Sequence, residues 1–343
     1  MCFRQYWQQD CVNDELNNNN ISYFTMRRIA IAFLVLVAIR ASAQSGAGTG
    51  SAADSVRPPS YVPHRVFDAR HRRFTDFEAM LGDVMTADVL FLGEQHDDPG
   101  THRLELAALE GLARRRSNVV LALEMFERDT QGALDRYLLG SATEQEFLAG
   151  SRPWPRYRSD YRPLVEFARA WKWPVVASNV PRPYASLVAK RGLAGLDSLA
   201  ASDRALAARA IECPHDNYFD RFAKTMGDMG AHGPGAAPLS DEQKRTQLQR
   251  VYEAQCVKDE TMGESVARVL LAAPARALVV HVNGAFHSDY RLGTAARSAG
   301  RLPGKRVAVV SFVPVENLDV ADGNHDRKLA DYIVFTLAPP KNP

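Results

Sequence analysis

The sequence predicts an α/β fold with a mainly parallel central sheet flanked by helices and an inserted helical lobe. Two observations carry this: short apolar runs alternate with segments of helical periodicity, and several of those runs end in polar residues instead of ordinary loop glue. Strands buried on both faces read as near-continuous Val, Ile, Leu and Ala, as these do. In such sheets ligands bind outside the carboxyl ends of the strands, so polar groups gathered there point to chemistry.

Before the first run comes a processing region. Met26-Arg27-Arg28, the apolar Ile29 to Ile39 and the small residues Ala41-Ser42-Ala43 have the three-part form of a secretory signal peptide. The apolar stretch is shorter than the roughly 18 residues a membrane-spanning helix needs. We therefore expect translation to start at Met26, residues 1–25 to be an upstream extension, and cleavage near Ala43 to release a periplasmic or cell-envelope protein, the alternative being an N-terminal membrane anchor that is never cleaved. No Cys lies just after Ala43, so a lipid anchor is not expected. Gln44 to about Ser60 is rich in Ser, Gly and Ala and reads as a flexible tether. Residues 61–343 are then one α/β domain.

Within that domain strands are expected near Asp88–Leu92, Asn118–Leu123, Pro174–Ala177, Ala277–Val282 and Arg306–Phe312, with a sixth at Tyr332–Leu337. Asp98-Pro99 supplies an N-cap and a first-turn proline for a helix repeating Leu104, Ala108 and Leu112 and ending at Arg114-Arg115-Arg116. A second helix should run from Thr130 to Leu139 and stop at Gly140. The texture changes between Gly192 and Ala272, where helical segments Ala200–Ile211, Asn217–Met226 and Asp241–Leu271 surround a glycine-rich loop, Gly227 to Gly235. This is the expected insertion, placed to cover a site. Its loop carries His232, a candidate cofactor contact.

Overall charge excludes one class of partner. At a formal net charge of +2 there is no basic excess to recruit nucleic acid. Once residues 1–43 are removed, Cys213 and Cys256 are the remaining cysteines. They are placed either to pair in an oxidising compartment or to sit as two buried thiols.

The chemistry-bearing residues follow the strands. Glu94 and His96 leave the first core run, Glu124 abuts the second, Asn179 and Arg182 follow the third, and His287 follows the fourth. A carboxylate set directly against a buried run is costly unless it is paired or ligated. If the strands are parallel neighbours, Glu94, His96, Glu124, Asn179, Arg182 and His287 share one rim, where the two Glu and two His could ligate a divalent metal or act as base, acid and orienting partner around a water. His281 lies inside its strand and reads as a satisfied core histidine. Trp154, Arg156, Tyr157, Arg158, Tyr161 and Arg162 form an aromatic and basic loop. Either it stacks on a flat ligand, with Tyr157 or Tyr161 offering a phenolate to ferric iron, or it packs against the sheet edge.

Five motifs in order, Gly93-Glu94-Gln95-His96, Ala122 to Phe126 with Gln131 and Leu134 to Tyr137, Ala177 to Arg182, Asp259-Glu260-Thr261-Met262 and Asn283 to His287, resemble the ChaN-like haem-binding domain of the Tiki superfamily over about Phe67 to Pro314. The resemblance implies an exported protein of haem or iron acquisition that takes haem as cofactor or cargo, with contacts at Tyr157, Tyr161, Arg182, Asn179 and His232. It also implies a membrane-associated uptake machinery as partner and leaves room for a homodimer. Family members include lipoproteins, from which the missing Cys departs. Relatives similar to erythromycin esterases and Tiki-type proteases imply an alternative, a hydrolase of ester or peptide bonds. There His96 would activate water, Glu124 would assist it or hold a metal, and His287 would act as ligand or acid. A third reading leaves the rim as a polar network without chemistry, although four ionisable groups are an expensive arrangement for that purpose.

Overall fold

A computed structural model describes residues 61–228 and 240–339. The expected signal peptide, the residues before it, the expected tether, most of the glycine-rich loop and His232 lie outside the described residues. The first strands are a pair that the hydropathy pattern does not forecast, β1 (His64–Asp68) and β2 (Arg73–Thr75). They are short, charged and antiparallel to each other, so no continuous apolar run marks them.

Six strands then carry the core: β3 (Val89–Glu94), β4 (Val119–Glu127), β5 (Val175–Asn179), β6 (Leu278–Gly284), β7 (Val307–Val315) and β8 (Tyr332–Leu337). Each apolar run became a strand. Several extend past the run into the polar residues that follow, because pairing with a parallel neighbour satisfies backbone groups whatever the side chain. The sheet order is β2-β1-β8-β7-β3-β6-β4-β5. All pairings from β8 to β5 are parallel, while β1 joins β8 antiparallel.

Helices cover both faces. On one lie α1 (Phe77–Val84) and α2 (Pro99–Ala113), whose Met80, Leu81, Leu104, Leu109 and Leu112 pack on Leu90, Leu92, Leu121, Val280 and Val282. Asp98 caps α2 through its side chain, as the Asp-Pro signal predicts. The same side carries α3 (Gln131–Leu138), α4 (Glu144–Ser151) and α5 (Arg162–Ala170), the last entered through a π-helical turn at Tyr157–Tyr161.

The insertion begins after α6 (Arg182–Arg191) and is not a detached lobe. Its helices are α7 (Ala201–Arg204), α8 (Asn217–Asp228) and the 32-residue α9 (Asp241–Ala272). Val266, Ala267 and Leu270 of α9 pack on Val89, Phe91, Val120 and Ala122 beside α10 (Gly293–Arg301), so the long helix forms much of the second flanking layer. The helix expected over Ala200–Ile211 stops after one turn. There the side chains of α9 capture the backbone: Ala208 donates to Thr261 Oγ1 at 3.0 Å and Arg209 to Glu264 Oε2 at 3.0 Å. Among the described residues no helix is long and apolar enough to cross a membrane.

Of the two arrangements open to the cysteines, the paired one is present: Cys213 and Cys256 form a disulfide across a sequence separation of 43. It ties the approach to α8 onto α9. Constraining a loop of that size in the unfolded chain is worth roughly 3–4 kcal/mol. Denaturant unfolding of the Cys213→Ser/Cys256→Ser variant should show a loss of that order, and an unchanged midpoint would contradict it.

Candidate functional site

The sheet order creates the site. The chain runs outward from β3 to β4 and β5, and then β6 returns to lie between β3 and β4. Such a reversal leaves a crevice at the carboxyl ends. Glu94 is paired in register with Gly284, and Leu123 with Val282. The polar residues following three separate runs are thereby brought side by side.

Glu94 is buried and its two oxygens are divided. Oε1 accepts hydrogen bonds from His96 Nδ1 at 2.5 Å and from the Tyr161 hydroxyl at 2.7 Å. Oε2 accepts none. His96 is 17% exposed at its side chain, and Trp154 meets it edge to face with centroids 5.0 Å apart. Its imidazole lies over Gly284, where an added Cβ would come within 2.7 Å of Nε2. Only glycine allows that approach.

Beyond Gly284 stands Glu124. Its Oε2 accepts the Gly284 N–H at 2.7 Å, and its Oε1 lies 3.3 Å from His287 Nε2. His287 Nδ1 in turn contacts Asp259 Oδ1 at 2.7 Å. Asp259 is completed by Thr294 Oγ1 at 2.8 Å and the Tyr218 hydroxyl at 2.6 Å. The four rim residues named from sequence thus form one continuous array, Glu94 to His96 over Gly284 to Glu124 and His287.

Electrostatics in this array work against burial and overcome it. Desolvation alone would raise the Glu94 carboxyl, but the charge of His102 and the His96 hydrogen bond hold it down at about 2. Desolvation of Glu124 is likewise outweighed by His287, leaving its carboxyl well below the usual range. For His287 the burial penalty on the imidazolium is outweighed by Glu124 and Asp259, and its titration is pushed up to about 10. His281 goes the other way, down to about 4, because burial dominates. Its hydrogen bonds to Ser178 at 3.0 Å and Asn283 at 3.0 Å fit the core reading.

Other candidates have structural occupations. Asn179 spans the backbone, donating to the Glu124 carbonyl at 3.1 Å and accepting from the Val180 N–H at 2.8 Å. Arg182 is paired to Glu127 at 2.6 Å. The aromatic loop divides between its two expected roles: Trp154 faces His96, whereas Tyr157 is buried beside Phe126 and Phe147. Burial raises the Tyr157 phenol above its ordinary value, which removes it from the rim and makes a phenolate costly. Tyr161 is also buried, with its hydroxyl committed to Glu94.

Sequence reasoning missed a second layer. On α2, His102 and Glu105 lie directly behind Glu94. His102 Nδ1 is 3.1 Å from Glu105 Oε2 and 3.5 Å from Glu94 Oε2. Its Nε2 lies 3.1 Å from the His96 carbonyl and 3.4 Å from Asp160 Oδ2, and Arg156 pairs with Asp160 at 2.6 Å. Burial disfavours the His102 cation, but Glu94 and Glu105 prevail and push it up to about 10. Burial and the neighbouring Glu94 charge hold Glu105 well above the carboxylate range. Asp259 stands in one of the five motifs, which gives it no role. The available signal in both places was a carboxylate on the apolar stripe of a helix: Glu105 shares a face with Ala108, Leu109 and Leu112, and Asp259 with Cys256, Met262 and Val266.

The family model described as haem-binding uptake, Tiki superfamily, ChaN matches residues 80–297. The solved structure of ChaN of Campylobacter jejuni, described as binding haem cofacially, is 17% identical, covers 80% of this chain and 97% of its own, and superposes with a TM-score of 0.57. That likeness shows the fold. A MARTX toxin effector domain of Vibrio vulnificus is 16% identical over 65% of this chain and 32% of its own, with a TM-score of 0.35. A Bacillus cereus protein is 13% identical over 68% and 69%, with a TM-score of 0.38. No curated protein matches the sequence.

Proposed function

Since the chain belongs to the haem-binding uptake family of the Tiki superfamily that includes ChaN, we propose that it is an exported haem-binding protein serving iron acquisition, with haem held over the rim at the carboxyl ends of β3, β6 and β4. Export rests on the Met26–Ala43 segment alone. Handover to a membrane-associated uptake machinery and pairing of two copies around the ligand belong to the same proposal.

One observation carries the assignment to this rim. His96 is the partly exposed imidazole, and the Glu94 carboxylate engages its Nδ1 at 2.5 Å. A carboxylate on one ring nitrogen fixes the tautomer and raises the basicity of the other, as it does for metal-bound histidines. The donor set therefore fits haem iron through His96 Nε2, in place of the tyrosines considered from sequence, with Trp154 beside it as an aromatic wall. Bound haem would supply the iron chemistry; the chain's part is to hold and orient that imidazole.

Titration of the purified protein with hemin should produce a Soret band. His96→Ala should weaken binding about tenfold or more, a loss of at least 1.4 kcal/mol, whereas Tyr157→Phe should leave the spectrum unchanged. Loss of the band in Tyr157→Phe with retention in His96→Ala would overturn the assignment.

The chain Glu124–His287–Asp259 favours a second reading. A histidine held between two carboxylates beside a partly exposed imidazole suits proton transfer to and from a water, so a hydrolase of ester or peptide bonds would use the same rim. Cleavage abolished by His96→Ala, together with weak and nonspecific hemin spectra, would decide for it.

A further inference from the structure

Behind the rim, His102 and Glu105, which neither the haem nor the hydrolase reading uses, meet the back of Glu94. Its Nε2 faces two acceptors, the His96 carbonyl at 3.1 Å and Asp160 Oδ2 at 3.4 Å. A neutral His102 would therefore carry its proton on Nε2 and turn the Nδ1 lone pair toward Glu94 and Glu105. Both side chains are fully buried, and apart from each other Glu94 Oε2 and Glu105 Oε1 have no hydrogen-bond partner. Buried acceptors left without a donor are uncommon and call for a specific occupant.

The geometry points to a buried divalent metal site, of the zinc class, formed by Glu94, His102 and Glu105. One ligand atom from each lies within 4.8 Å of the others. The Nδ1 separations of 3.5 Å to Glu94 and 3.1 Å to Glu105 bracket the edge of about 3.4 Å expected for tetrahedral ligands at zinc bond lengths near 2.1 Å. Two carboxylates and one imidazole balance a divalent charge, and the mixed N and O donors suit zinc. The oxygens of Glu94 are already divided for this purpose: Oε1 serves His96 and Tyr161, while Oε2 faces His102. An ion there would stiffen the Glu94–His96 pair from behind, so its role is to position His96.

The test uses the full chain, stripped with chelator and then given Zn2+ alone, without hemin. Metal analysis after dialysis should find one zinc per chain. Glu105→Gln should weaken binding by about 100-fold or more, since even an outer partner of a metal ligand is worth roughly 10- to 100-fold. Glu124→Gln, which alters only the rim, should retain the ion. X-ray absorption on the zinc-loaded parent protein gives an answer that needs no variant: one imidazole is expected in the shell, against two if His96 and His287 held the ion. No zinc bound by the parent, a two-imidazole shell, or loss in Glu124→Gln with retention in Glu105→Gln would each overturn the proposal. A shared proton between the two glutamates is the outcome in which no zinc binds. Because hemin is absent throughout, failure here leaves the haem reading untouched.

Discussion

Asp259→Ala is expected to destabilise the protein by about 3–5 kcal/mol, the cost of removing one partner from a buried charge pair. Asp259 is wholly buried and receives three side chains, His287 at 2.7 Å, Thr294 at 2.8 Å and Tyr218 at 2.6 Å. Truncation leaves the imidazolium with Glu124 alone and two hydroxyls without an acceptor. Thermal unfolding should report a fall on the order of 10 °C. Thr294→Val in the same background should recover part of the loss, because one of the two unpaired hydroxyls goes with it. A midpoint within 2 °C of the parent, on roughly the same scale, would mean that the array is not the electrostatic unit described.

The second large effect is a loss of stability on the alkaline side. His287 faces Glu124 and Asp259, with the Tyr218 hydroxyl beyond, and its titration moves from an ordinary 6.5 to about 10 in the folded state. Above pH 6.5 the unfolded chain releases a proton that the folded chain retains, so stability falls as pH rises and the contribution disappears at about 10. One such group gives a slope near 1.4 kcal/mol per pH unit. His102 acts with the same sign in metal-free protein, having also been pushed up to about 10. Glu94 works at the opposite end: held at about 2, it contributes above its ordinary 4.5 and is lost as pH falls toward 2. Denaturant midpoints between pH 6.5 and 10 in the presence of chelator should fall for the parent and fall less steeply for His287→Gln. Parallel curves would refute the assignment.

Much of this site could be read from sequence because burial leaves a signature. A run such as Val89-Leu90-Phe91-Leu92 announces a central strand, and Glu94 or Glu124 set against one announces a partner. The parallel order needed to bring these residues together also follows from alternating β and α segments. What escaped had no such signature. β2 lies at the sheet edge with β1 next to it, and their ladder hydrogen bonds do not depend on apolar side chains. The partners of Glu94 and His287 sit on helices, and their proximity depends on the packing of α2 and α9, which periodicity places on a face but not against a particular strand end. Tyr157 and Tyr161 were singled out by residue type; the π-helical turn decides their direction, and no spacing rule encodes it.

The position of β6 has a consequence in time. The strand made fourth among the central six is laid between the first two, with β3 and β4 as its neighbours. Until the ribosome has delivered residues 278–287, β3 and β4 have no strand between them, Glu124 has no Gly284 N–H to accept, and His287 does not yet exist. The rim is therefore a late product of folding, built by long-range parallel pairing of the kind that slows folding and leaves strand edges open to misassembly. An export route that carries the chain unfolded and lets it fold only after release would spare those edges from closing on the wrong neighbour, and would leave the site empty until the whole domain is across.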